Sequence, residues 1–191
     1  MRSFVRLFRI KQKNLYRLWI WSSASALVCL AIIYLLDSSL RAHSGLATRD
    51  LQQFSTAAQY RTALVFWARP DDALRAGFAL GFDYLFMPLY AVALFCSGVV
   101  SQELLAPRFE PFRRVLAVAT LVPVLGALLD AVENGLELYL LNLARADDAL
   151  AALAFRLSNY KKGCVYVGLA LFVLALFSLK MKKVETKLSS P

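Results

Sequence analysis

One histidine and three cysteines leave this 191-residue chain short of the residues from which metal and redox sites are built. His43 alone excludes bis-His haem ligation and His-rich metal sites within a single chain, and it reads as an exposed loop residue. Cys29, Cys96 and Cys164 fall in three different apolar segments at middle, inner and outer depths, against a metal cluster or a disulfide framework; they read as apolar fillers. No P-loop, G-x-S-x-G, H-E-x-x-H, dinucleotide fingerprint or C-x-x-C is present, so no cofactor is expected. No internal repeat or glycine- or Pro/Ser-rich linker divides the chain, and one domain over 1–191 is expected. Charge is scarce too, at 18% of residues, and acids more so, 13 Asp+Glu against 22 Lys+Arg.

What replaces them is apolar. Hydrophobic residues make up 59% of the chain, against about 45–50% in soluble domains. An integral membrane protein is therefore expected, with membrane lipids as its surroundings. The net charge of +9 lies largely beside apolar runs, where basic residues set orientation and meet anionic headgroups, so nucleic acid is discounted as a partner.

Four segments are long enough to cross about 30 Å of hydrocarbon at 1.5 Å per residue. They cover about 18–36, 77–100, 115–141 and 160–181. The last is short at its strict limits, but Lys161, Lys162, Lys180, Lys182 and Lys183 can snorkel to the two interfaces. Arg2, Arg6, Arg9, Arg108, Lys183 and Lys187 belong to a set of thirteen basic residues that would face the cytoplasm with both termini inside; nine others, including Arg49 and Arg145, would face out. The positive-inside rule favours that orientation. The first apolar run exceeds a signal-peptide core and reads as an uncleaved anchor. Trp19, Trp21, Phe66 and Trp67 fit interfacial anchoring. A bacterial inner membrane is the expected location.

The outer loops have patterns of their own. Leu51, Phe54, Ala58 and Val65 recur among polar residues from Asp50 to Arg69, a helix-compatible spacing that Pro70 ends and after which Asp71 or Asp72 can cap the next helix. Ala146 to Leu157 reads as a second short amphipathic helix, capped by Asp147 or Asp148 and left through Ser158 and Asn159. The expected fold is an all-α integral membrane protein: four transmembrane helices in one bundle, with short amphipathic helices in the two outer loops.

One stretch resists the apolar rule. In "ALLDAVENGLELYLL", Ala127 to Leu141, the residues Asp130, Glu133, Asn134 and Glu137 share one helix face at i, i+3, i+4 and i+7. A charge at mid-bilayer costs about 2.5–3.5 kcal/mol on insertion scales, so that face must find partners, water or a function. Asp83 enters the same outer layer from the second span, with Met87 and Tyr90 on its face, and Pro88 frees the carbonyl of Tyr84 where a kink could open a pocket. Asp37 ends the first span, and Lys161, Lys162 and Tyr166 begin the fourth. The outer half thus gathers polar groups while the inner half reads as nearly all apolar.

Two uses of this cluster are open. Asp83 or Glu133 can pair with Lys162 and act as interhelical glue, or Asp83, Met87, Tyr90, Asp130, Glu133, Asn134, Glu137, Lys162 and Tyr166 can line a ligand site. The site reading allows a unit that binds or transports a lipid-like or cationic small molecule, or a lipid-modifying enzyme in which one carboxyl donates a proton and another accepts it. The glue reading fits an accessory subunit, and assembly with like or unlike chains is compatible with each. In layout, four spans with a lid-like segment after the first and acids on the second and third helices resemble the sterol-isomerase and sigma-2-receptor group of membrane proteins. That resemblance is one of arrangement: no motif matches residue by residue, and the histidine that the isomerase chemistry implies inside the bundle is absent.

Overall fold

The computed structural model describes residues 11–105, 112–142 and 147–188, with side chains described as far as 182. Arg2, Arg6, Arg9, Arg108, Arg145 and Ala146 lie outside the described residues, as do the side chains of Lys183 and Lys187. A chain in hydrocarbon must satisfy its own backbone polar groups, and this one does so by helices. α1 spans Gln12–Ser44, α2 Ala57–Phe66, α3 Pro70–Leu105, α4 Phe112–Asn142 and α5 Asp148–Leu188, with a 3-10 segment at Thr48–Gln53 between α1 and α2. α1, α3, α4 and α5 are each long and apolar enough to cross a membrane. The protein is an all-α, multipass integral membrane protein built on a four-helix bundle.

The long helices alternate in direction. α3 is the hub: it packs against α1 on one side and against α4 and α5 on the other, and α4 packs along α5. α1 and α5 lean on α3 but barely touch each other. One end of the bundle carries the 3-10 segment and α2 and is called the lid end; the other holds the starts of α1 and α4 and the ends of α3 and α5.

The first loop folds back onto the bundle. Gly45, at φ +82°, ends α1 with its N–H on the Arg41 carbonyl, a left-handed turn that suits glycine. Asp37, buried inside α1 rather than ending it, accepts hydrogen bonds from the Thr48 N–H and hydroxyl and from the Arg49 N–H, so it holds the 3-10 segment. Gln59 accepts from the Ser55 and Thr56 N–H groups at the start of α2. The buried face of α2 is Ala57, Tyr60 and Ala63, continued by Trp67 beyond its end, and Ala58 and Val65 of the expected apolar pattern point outward. Pro70 opens α3 as its first residue, where a missing N–H costs nothing; Asp71 and Asp72 therefore sit within the first turn and not at the cap.

Three further expectations are corrected. The second short helix does not end at Ser158 and Asn159 but continues as α5, because no glycine or proline interrupts Asp148 to Lys162. Asn159 donates to the Phe155 carbonyl within the helix, and Ser158 is buried. Asp147 does take the capping role, accepting from the Ala149 N–H, while Asp148 Oδ1 accepts from the Ala57 N–H and ties α5 to the lid.

Trp19 and Trp67 are buried and not interfacial: their indoles donate to Ser97 Oγ and the Leu46 carbonyl, whereas Trp21 and Phe66 remain exposed. Nor is the far end nearly all apolar. Gln102 Nε2 donates to Thr120 Oγ1 at 2.6 Å, and Ser101 donates to the Leu171 carbonyl. Close approach here depends on small residues: a Cβ on Gly98 would collide with the Thr120 side chain, and one on Gly168 would meet Leu94 and Pro123.

Candidate functional site

The polar face of α4 turns inward. Asp130, Glu133, Asn134 and Glu137 are all buried, so lipid does not meet them. α5 supplies the compensating charge through Lys161, whose Nζ lies 2.6 Å from Asp130 Oδ1 and 2.8 Å from Glu133 Oε2. Lys161 reaches them because it shares a packed face with Ala151, Ala154 and Ser158, the positions where α5 lies closest to its neighbours. The second oxygen of Asp130 accepts from the Tyr90 hydroxyl at 3.0 Å. α3 and α4 meet again where Asn134 Nδ2 donates to Asp83 Oδ2 at 2.7 Å.

This corrects the expected pairing. Lys162, one residue on, points 100° around the helix and has no carboxylate partner among the described residues. A two-residue "KK" offers no local means of telling its buried member from its half-exposed one. The small residues at 151, 154 and 158 do not separate them either, since 161 is i+3 and 162 is i+4 from Ser158 and both continue that side of the helix.

Beside these contacts lies a cavity of about 550 Å³, walled by all four long helices and by the 3-10 segment. Asp83, Tyr90, Asp130, Asn134, Glu137, Lys162 and Tyr166 line it, together with Asp37, Arg49 and Lys161. Met87 and Glu133 do not. Met87 packs in the core with Ala26 and Leu94, and Glu133 sits behind Lys161. Below the polar layer the wall is Leu27, Leu30, Phe86, Leu94, Leu169 and Phe172. The edge contact between Trp19 and Phe172, centroids 5.5 Å apart, bridges α1 and α5 beneath it.

The cavity opens sideways. Leu27, Leu30 and Tyr34 on α1 and Tyr166 and Leu169 on α5 are exposed and yet line it, so they form the lips of a cleft between two helices that barely touch. Pro88 accompanies this without breaking α3, which runs on to Leu105.

Electrostatically the cavity is mixed and not simply acidic. Asp37 and Asp130 are fully engaged, by the 3-10 segment and by Tyr90 with Lys161. Asp83 Oδ1 has no partner among the described residues. Arg49 lies over the Tyr34 ring, 5.7 Å from its centroid, without a carboxylate partner. Under the lid, Glu137 Oε1 and Tyr60 Oη are buried without hydrogen-bond partners among the described residues. Burial, reinforced by the charges of Glu137 and Glu133, raises the Tyr60 phenol far above its usual value, so it stays a neutral donor. Nothing in the sequence around Tyr60 or Ser158 marks them for this place; only the fold does. No group of three or more His, Cys, Asp or Glu among the described residues is arranged to hold a metal ion.

No protein-family model, curated protein or solved structure matches this chain. The functional reading therefore rests on the chemistry of the site itself.

Proposed function

We propose that this protein binds, and in a membrane can carry, a lipid-like amphiphile whose polar end meets Asp83, Asp130, Asn134, Lys161 and Lys162 and whose tail lies along Leu30, Phe86, Leu94 and Leu169. The observation that carries this reading is the shape and polarity of the cavity: charged near the lid, apolar below, and open between α1 and α5. Its volume of about 550 Å³ lies within the range of small-molecule sites, about 300–1,000 Å³. A buried cluster serving only as glue would close on itself. Under the positive-inside orientation the polar end lies in the outer leaflet, and a bacterial inner membrane is the setting proposed.

The test uses protein purified in mild detergent, with co-purifying lipids read by native mass spectrometry and stability by thermal melting. Leu30→Trp narrows the mouth from an exposed position, and Asp83→Asn neutralises the open carboxylate. Both variants are expected to keep their melting temperature, Leu30→Trp losing the bound amphiphile and Asp83→Asn holding it more weakly. A wild-type protein that carries no amphiphile and is not stabilised by added lipid sinks the reading.

A catalytic reading draws on one observation: Tyr90, Asp130 and Lys161 form a hydrogen-bonded string that opens on the same cavity, as general acid/base chemistry requires. Recovery of a chemically altered lipid after incubation would favour it over simple binding.

A further inference from the structure

The polar end of the cavity holds charges of both signs that the protein leaves unmatched. Lys162 lines the wall and Arg49 the rim, neither with an anionic partner among the described residues. Asp83 Oδ1 opens on the same space, and Glu137, which also lines it, has a buried oxygen without a partner. Unmatched charges at low dielectric are costly, and a ligand that matches both signs removes both costs at once.

Their placement keeps the two signs close but separate. Asn134 fixes Asp83, and Asp130, one turn earlier on α4, fixes Lys161, whose chain neighbour is Lys162. The contacts that fix Asp83 and Lys161 thus lie about one helical turn, 5.4 Å of rise, apart along α4. Resting on the binding reading above, we infer that the headgroup held here is a phosphate joined to a primary ammonium, as in a phosphoethanolamine lipid. Arg49 and Lys162 take the phosphate oxygens, and Asp83 with Glu137 takes the ammonium hydrogens.

Simpler headgroups fit less well. A purely anionic headgroup satisfies Arg49 and Lys162 but sets a negative charge against Asp83. A purely cationic one does the reverse. A quaternary ammonium donates no hydrogen bond and leaves Asp83 Oδ1 unmet, and the Tyr34 face that might receive it is already covered by Arg49.

The experiment is a titration of the delipidated full chain in detergent with phosphatidylethanolamine, phosphatidylglycerol and phosphatidylcholine of identical acyl chains, read by native mass spectrometry. Phosphatidylethanolamine is expected to bind roughly tenfold more tightly than either of the others, the scale of one charge-assisted hydrogen bond. Asp83→Asn should erase its advantage over phosphatidylglycerol. The double variant Arg49→Gln/Lys162→Gln, at side chains with no anionic partner among the described residues, should weaken all three phosphate lipids while sparing a long-chain alkylamine. Equal binding of the three lipids by the wild type, or an undiminished preference in Asp83→Asn, overturns the headgroup inference and leaves lipid binding standing. Failure of all three to bind overturns both.

Discussion

Both ends of this bundle bury polar side chains, and they treat them differently. At the far end the interhelical hydrogen bonds among the described residues join neutral groups, Trp19 to Ser97, Gln102 to Thr120 and Ser101 to the Leu171 carbonyl, and a single carboxylate oxygen, on Glu103, is buried without a partner there. At the lid end the groups are ionisable, they surround a cavity, and several buried oxygens have no protein partner. Polar groups that only hold helices together have no use for empty space or for unmatched charge. The far end therefore shows what glue looks like in this fold, and the lid end departs from it.

The largest test of that contrast is at Lys161, which is glue and cavity wall at once. Lys161→Met leaves Asp130 and Glu133 buried without their cation, and the loss of one partner of a buried pair costs about 3–5 kcal/mol. The adjacent Lys162→Met removes a charge that has no carboxylate partner among the described residues and should stay within about 0.5 kcal/mol. Thermal melts of the two variants side by side check this. Similar losses for both would mean that the two lysines share the acids and that the sorting of 161 from 162 is wrong.

A smaller effect is expected where the far end is most tightly closed. Gly98→Ala drives a methyl group into the Thr120 side chain, which is itself held by Gln102, and should cost about 1–3 kcal/mol as overpacking. Gly77→Ala, on the same helix but facing open space, should be neutral or slightly stabilising, since glycine is the poorer helix former by about 0.5–1 kcal/mol. Melting temperatures decide it. An unharmed Gly98→Ala would show that the far end has slack and is less closed than its contacts imply.

The legible part of this structure is the part governed by hydropathy and helical period. Apolar length placed all four long helices, and the i, i+3, i+4, i+7 spacing placed Asp130, Glu133, Asn134 and Glu137 on one buried face. What periodicity cannot carry is which neighbour a face meets. Lys161 and Lys162 have the same chemistry and adjacent numbers, and only the packing of Ala154 and Ser158 against other helices separates them. The same holds for Asp37: a carboxylate near the end of an apolar run reads as a boundary, yet its role is set by Thr48 and Arg49 returning eleven and twelve residues later. Neutral polar residues such as Ser97, Ser101 and Thr120 barely alter a hydropathy profile, so the hydrogen-bonded layer at the far end left little trace.

The finest test sets one hydroxyl against another. Ser97→Ala strips the acceptor from the buried Trp19 indole, and interhelical hydrogen bonds of this kind in membrane proteins are worth about 0.6–1.7 kcal/mol. Tyr60→Phe removes a buried hydroxyl that has no protein partner while keeping the edge contact with Phe54, so the cost should be under about 0.5 kcal/mol, or reversed in sign. Chemical or thermal denaturation of both variants against wild type measures the pair. If Tyr60→Phe falls as far as Ser97→Ala, internal water joins the phenol to Glu137, and the lid end is as fully satisfied as the far end. If it does not, the unmet oxygens under the lid are intrinsic to the fold, and one of them belongs to Glu137, a residue of the cavity wall.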